Sequence, residues 1–325
     1  MKKRILVIFL AIIVLAGNLS AYYSLANSGK RGLHLNSIES ILRQREEQID
    51  IATAALLLSR DWGTKKGLRT YRAKIDQMAR DIIDTAREQD IELDYHVIPV
   101  INKYLFKELK FTPVDTADNP EDIFLHIVID NKRGYCLSLS VLYLSIAERI
   151  GLPMYGVVVP GHFFVRYDDG ENRFNIETTS NGNTAPDKHY IKKFKVPDYE
   201  NSIYMNNLTT VQTLGCFFNN LGNSYNAIGE LDYARIELER AVNCAPNLAE
   251  ARTNLGNVYL SMGLLDAAVT QYGYAIELLP TDPKPHNNLA NAYSQLGMHS
   301  DAEKEYLTAI ELKSDFADLL LIRIR

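Results

Sequence analysis

Cysteine is scarce in this 325-residue chain: there are three, and no CxxC pair among them. That leaves no zinc ribbon and no dithiol redox motif. HExxH is absent as well, which removes the helix-borne zinc hydrolases. No glycine-rich phosphate loop stands out, so a nucleotide site is not expected. Nor is there a basic excess. Thirty-five Lys and Arg against 40 Asp and Glu give a formal net charge of −5, which argues against a nucleic-acid partner. On these grounds neither a metal nor a cofactor is expected. The length suggests about two domains.

Long apolar runs are few, and the clearest stands at the start. Lys2-Lys3-Arg4 precede Ile5 to Gly17, a stretch of signal-core length and short for a bilayer span. Residues 1–26 therefore read as a signal peptide, cut after Ala21 or at Ser24-Leu25-Ala26, or as a retained anchor with residues 5–26 in the membrane. In both cases the remainder is exported, periplasmic or anchored facing the periplasm. Three cysteines in an exported chain leave at least one unpaired, and Cys136 is the natural odd one. Cys216 and Cys244 fall near opposite ends of one helical hairpin, which opens the question of a disulfide.

The chemistry concentrates in Arg133 to Tyr167. After Cys136, Leu137, Val141, Leu144 and Ala147 recur at helical spacing, a stripe that would bury one face. Gly151 suits a left-handed cap, and Pro153 ends the helix. Tyr155 to Val159 and Phe163 to Tyr167 read as strands around Pro160-Gly161. Cys136 is thus expected at a helix N-terminus, where free N–H groups favour a thiolate, and His162 on or beside a strand. Gly134 would let a substrate approach the backbone, and the Cys136 N–H is a candidate oxyanion donor. A third group should orient the imidazole. In the next strand, Phe174 to Thr179, alternation puts Asn175 and Glu177 on one face. Glu177 is the expected orienting acid, with Asn175 in reserve. Arg166, on the face of His162, is expected to pair with Glu177, the alternative being that it meets a substrate carboxylate. Ser138 and Ser140 read as helix-surface hydroxyls. Asp168 to Asn172 reads as a solvated hairpin tip, without the spacing of a calcium loop.

At these residues the sequence resembles the transglutaminase-like superfamily. Gly134-Tyr135-Cys136 resembles its G-x-C, and Arg149-Ile150-Gly151-Leu152-Pro153 its R-x-x-G-[IL]-P with one residue fewer. Glu177-Thr178-Thr179 stands where the family has an acid, usually Asp, so the side chain here is one methylene longer. The likeness is greatest to a bacterial branch with a helical segment before the cysteine and a Pro-Gly-His-Phe motif, here Pro160 to Phe163. The resemblance implies an α+β, papain/transglutaminase-like domain over 36–200 and a Cys136–His162–Glu177 triad. Helical runs at 49–60, 69–88 and 97–109 would form a layer covering the cysteine helix.

After a linker and lead-in at 201–214 the chain repeats. Leu221-Gly222-x-x-Tyr225 recurs as Leu255-Gly256-x-x-Tyr259 and Leu289-Ala290-x-x-Tyr293. Gly229, Gly263 and Gly297 follow in register, then Ala234, Ala268 and Ala302. Period and residue types are similar to those of tetratricopeptide (TPR) repeats, implying an all-α solenoid over 215–316 and a tail or partial cap at 317–325. Such stacks line a concave groove with their first helices. Asn220, Asn254 and Asn288 recur there, as do Asn223, Asn257 and Asn291. A carboxamide both donates and accepts, so either ladder suits an extended peptide backbone; the competing reading is that they bond neighbouring turns.

Two functions follow as expectations. One is an exported thiol enzyme acting on amide bonds, with a protein or peptide partner in the groove. The other is a non-catalytic envelope adaptor, in which the first domain is a scaffold and the repeats bind.

Overall fold

A computed structural model of the chain describes residues 37–59, 67–116, 120–198 and 202–321. Residues 1–26, expected as a signal peptide or anchor, lie outside them. Among the described residues no helix is long and apolar enough to cross a membrane.

The fold is α+β followed by an all-α solenoid. The first part begins with short helices α1 (Ile38–Leu42) and α2 (Ile51–Leu58), capped by the side chains of Ser37 and Asp50. The longer α3 (Gly67–Glu88) buries Tyr71, Ile75, Met78, Ala79, Ile82 and Ala86, a single helical stripe. Helix α4 (Ile98–Asn102) runs into a π-helical turn at Lys103–Glu108. The two-residue strands β1 (Thr112–Pro113) and β2 (Arg133–Gly134) pair in parallel around α5 (Leu125–Asn131). Helix α6 (Cys136–Ile150) follows directly.

Sequence patterning suggests one buried face for α6, but every residue except Glu148 is buried. The helix lies at the centre, packed on by α2, α3, α5 and strands β3 and β4. Its polar side chains are therefore satisfied internally, as burial demands. Ser138 and Ser140, expected at the surface, point inward: Ser138 Oγ donates to Asp122 O (2.9 Å), and Ser140 Oγ pairs with Thr178 Oγ1 (3.0 Å). Arg149, from the R-x-x-G-[IL]-P-like motif, donates through Nε to Asp76 of α3 (2.6 Å) and reaches Asp50 at the start of α2. It thereby ties the end of α6 to the helical layer. Gly151 ends the helix with φ +89°, as its sequence position implies.

Strands β3 (Met154–Val159), β4 (His162–Asp168), β5 (Arg173–Glu177) and β6 (Asn183–Ala185) form an antiparallel meander in that order. Helix α7 (Asp187–Phe194) closes it. At the tip of the β4–β5 hairpin, Asp169 accepts from the N–H groups of Glu171 and Asn172, and these bonds hold its carboxyl down at about 2. The acids there shape a turn.

The stretch 202–208 links the two parts while packed against the first. Ile203, Tyr204 and Leu208 are buried, and the N–H groups of Met205 and Leu208 donate to Val158 and Gly156, covering the open edge of β3. Helix α8 (Thr210–Ala227) begins with a capping box of Thr209 and Gln212. It opens three helical hairpins: α8 with α9 (Leu231–Cys244), α10 (Ala249–Ser261) with α11 (Leu265–Leu278), and α12 (Pro283–Gln295) with α13 (His299–Leu321). The repeated small residues are contact positions. A Cβ on Gly222 would lie 2.6 Å from Leu238, and one on Gly256 2.5 Å from Tyr272.

Cys216 and Cys244 are both free thiols and both buried. Position 215, not 216, faces the end of α9: a Cβ on Gly215 would meet Ala245 N at 2.9 Å. One step round the helix, Cys216 points elsewhere.

One buried core runs from α1 into the first and second hairpins. Polar ties cross the same boundary. Glu46 Oε1 accepts from Thr210 N (2.6 Å), Tyr204 OH donates to Glu250 Oε2 (2.6 Å), and Arg240 pairs with Glu39.

The two parts meet at Gly156, where a Cβ would lie 2.4 Å from Phe163 Cζ and 2.8 Å from Thr213 Oγ1 of α8. Gly156→Ala is expected to lower unfolding free energy in urea by about 1–3 kcal/mol through overpacking. Gly273→Ala, in α11 with open space around it, should be neutral or slightly stabilising.

Candidate active site

Three local structures converge. The first is the start of α6. Cys136 is its first residue, and no side chain caps that end, so the first-turn N–H groups point toward the thiol's surroundings. Gly134 is needed for packing: a Cβ there would sit 2.8 Å from Ser138 Oγ and 3.0 Å from Val128. That replaces the expectation that it admits substrate. The second is the β3–β4 turn, where Gly161 takes φ +72° and returns the chain so that His162 opens β4 opposite Val159. The third is the end of β5, where Glu177 leaves the sheet.

Register decides which acid reaches the imidazole. Arg166 stands opposite Asn175, which places Glu177 two residues nearer the His162 end of β4. Glu177 spans the diagonal, and its Oε2 lies 2.7 Å from His162 Nε2. Its other oxygen accepts from Thr179 N (3.1 Å) and Thr179 Oγ1 (2.7 Å). Asn175 faces the same side but is committed elsewhere. It accepts from Arg166 Nε (2.8 Å) and donates to Asp187 Oδ1 (2.7 Å). Arg166, fully buried, also holds Asp187 and the Met205 carbonyl. The pairing of Arg166 with Glu177 expected from strand alternation therefore does not form, because Asn175 and Asp187 intervene.

His162 and Cys136 are neighbours that line one pocket. Burial on its own disfavours the imidazolium. Its neighbours Cys136 and Glu177 outweigh it and raise the His162 pKa to about 9. Glu177 shows the converse: burial raises it, but His162 and Thr179 hold it below the usual carboxylate range. Phe194 of α7 stacks on the imidazole at 4.8 Å with ring planes 4° apart, and Tyr190 OH approaches Glu177 Oε2 at 3.5 Å. Neither aromatic carries a sequence signal that marks it as part of the site.

Cys136 and His162 line a pocket of about 300 Å³ to which the solenoid also contributes. Asn219, Asn220 and Asn223 come from α8, Glu250 and Asn254 from α10, and Lys284 from α12. Further along the same inner face, a cavity of about 440 Å³ is lined by Asn254, Asn257, Lys284, Asn288, Tyr306 and Lys313, among others. The asparagine ladders divide. Asn257 accepts from Tyr272 OH and from the Asn288 amide (both 2.8 Å), Asn291 accepts from Tyr306 OH, and Asn254 donates to Asn219 (2.9 Å). Asn220 and Asn223 bond no other described side chain. Another cavity, of about 410 Å³, lies against Leu144, Gly151 and Thr213, away from the thiol.

Among the described residues one three-ligand group exists, Glu92, Asp94 and His96, on the surface. Asp94 Oδ1 already accepts from His96 N and contacts its Nδ1 (both 2.8 Å), as a local turn cap.

Comparison with known proteins agrees with this architecture. Residues 69–205 match the model of the transglutaminase-like superfamily, and 256–297 and 283–316 match tetratricopeptide repeat models. The chain carries a transglutaminase-like domain followed by TPR repeats. Among relatives, a UPF0162 protein of Xylella fastidiosa is 29% identical over 130 residues, 38% of this chain and 45% of the relative. Human F-box only protein 21 is 31% identical over 107 residues, 32% of this chain and 17% of the relative. Each match thus spans less than half of the relative's length. A crystal structure of MamA is 26% identical and covers 34% of this chain and 70% of its own, at a TM-score of 0.31.

The electrostatics of His162 predict a pH signature. Its folded pKa, about 9, lies above its ordinary 6.5, so its stabilising contribution is complete below about 6.5 and lost as pH rises through about 9. The melting-temperature gap between wild type and His162→Ala should narrow over that window. The free energy involved is at most roughly 3 kcal/mol. In Glu177→Gln the window should move toward neutral pH.

Proposed function

We propose that this chain is a thiol enzyme acting on amide bonds of a protein or peptide bound by its repeats. The observation that carries the reading is the 2.7 Å bond from His162 Nε2 to Glu177, with His162 and Cys136 lining one pocket. An imidazole that keeps its proton to about 9 is a charge partner for a thiolate at neutral pH.

In the proposed reaction Cys136 Sγ attacks the amide carbonyl carbon and a C–S bond forms. The developing oxyanion meets the N–H of Cys136 at the uncapped helix start. The C–N bond then breaks, and the leaving nitrogen takes a proton from His162. Water or an amine attacks the thioester, giving a carboxylic acid or a new amide and restoring the thiol. Glu177 holds the imidazole in orientation throughout. The same reading keeps the exported location, with residues 1–26 as signal or anchor. It also places the partner along the concave groove, with Asn220, Asn254 and Asn288 the principal contacts.

A second reading has one observation in its favour. Cys136 is only 4% exposed, which suits a scaffold that binds through its repeats without turning over substrate. Trapping separates the two. Wild-type protein incubated with a cell-envelope extract should gain mass at Cys136 as an acyl thioester, released by hydroxylamine; Cys136→Ala should gain none. Absence of any hydroxylamine-labile adduct in wild type favours the scaffold. For the groove, Asn254→Ala and Asn288→Ala should each weaken binding of captured peptides by several-fold; unchanged binding removes them from the contact set.

A further inference from the structure

The thiol pocket and the groove of the repeats share a wall. Asn254 and Lys284 line both the 300 Å³ pocket and the 440 Å³ cavity beyond it, so the two adjoin. Lining that pocket together with Cys136 and His162 are Asn220 and Asn223, three residues apart on α8 and therefore on one face, roughly 5–6 Å between Cβ atoms. Their equivalents in the later repeats are held: Asn254 by Asn219, and Asn257 and Asn291 by the hydroxyls of Tyr272 and Tyr306. The first repeat has Leu238 in the position of those tyrosines, so Asn223 has no such hydroxyl to engage it. Asn220 and Asn223 thus present unpaired carboxamides to the pocket beside the thiol. Glu250, on the same wall, is occupied by Tyr204 OH at 2.6 Å.

We infer that the pocket is a composite peptide subsite, in which Asn220 and Asn223 of the first repeat hold the main chain of an extended peptide across Cys136. Two adjacent carboxamides offer donors and acceptors in alternation, which is what the N–H and C=O groups of an extended chain require. A run of peptide fills two adjoining cavities in line; a lone small amide fills one. The inference rests on the proposed thiol chemistry for its purpose, but its geometry can be tested without turnover. On this reading the repeats form half of the site instead of serving as a remote docking module. Asn220 and Asn223 are positioning residues that set how the scissile amide meets the sulfur.

The test is protection of Cys136 from iodoacetamide by a neutral peptide, acetyl-(Ala-Gln)5-amide, read by intact mass. Each protein's rate with peptide is divided by its own rate without, so differences in thiol reactivity cancel. Wild type should be protected by the peptide and not by acetamide at the same concentration. In Asn220→Ala/Asn223→Ala the half-protecting concentration should rise at least about tenfold, as loss of two hydrogen bonds implies. Asn243→Ala, exposed on α9, should behave as wild type. Lack of protection in wild type, equal protection by acetamide, or an unchanged concentration in the double variant each overturns the inference. A slow baseline rate that ignores His162→Ala would instead count against the enzyme reading and leave the ratio interpretable.

Discussion

The burial of α6 along its whole length, Glu148 apart, constrains everything packed around it. A helix without a solvent face needs cover on every side, and one domain layer does not supply it. Here the helical layer covers one side, β3 and β4 another, and α8 of the first repeat packs against β3 and α6. Gly156 admits that last contact by lacking a side chain where Phe163 and Thr213 meet. The core is therefore continuous from the transglutaminase-like domain into the solenoid, and the first repeat is as much cover for the cysteine helix as it is a repeat.

The chemistry follows from that packing. The N-terminus of α6 is the end of this buried rod that borders a pocket, and the cysteine is its first residue. The β3–β4 turn and the end of β5 bring an imidazole and a carboxylate to the same end. In so dry a place an unpaired charge is costly, so the imidazole and the carboxylate hold each other. Glu177 uses both oxygens, one on His162 and one on Thr179, and Phe194 lies flat against the imidazole. The longer acid suits a diagonal reach across β4 and β5.

Much of this was legible in the sequence. Period-2 alternation, the Gly151–Pro153 stop and the Pro160-Gly161 turn position Cys136, His162 and Glu177 correctly along their elements, because these are local signals. The repeat period does the same for the hairpins from α8 onward. What could not be read was set by register and by tertiary cover. Alternation places Asn175, Glu177 and Arg166 on one face, but only the pairing of Arg166 with Asn175 shows that the arginine belongs to Asn175 and Asp187. Ser138 and Ser140 look like surface hydroxyls until α6 is seen to be enclosed. Gly134 reads as an approach for substrate until Ser138 and Val128 are found in its place. The stretch 202–208 carries no sign that it will seal the edge of β3. The two asparagine ladders are identical in spacing. It takes Tyr272, Tyr306 and Asn219 to show which amides are already engaged.

The central claim is that Cys136, His162 and Glu177 work as one unit. It is tested most directly by the rate of Cys136 alkylation with iodoacetamide as a function of pH, in wild type and His162→Ala. The account predicts fast alkylation at about pH 6.5, where an ordinary free thiol, with a pKa of about 8.5, is almost wholly protonated, and its loss in the variant. Slow alkylation that rises only near pH 8.5, with the same profile in both proteins, would contradict it.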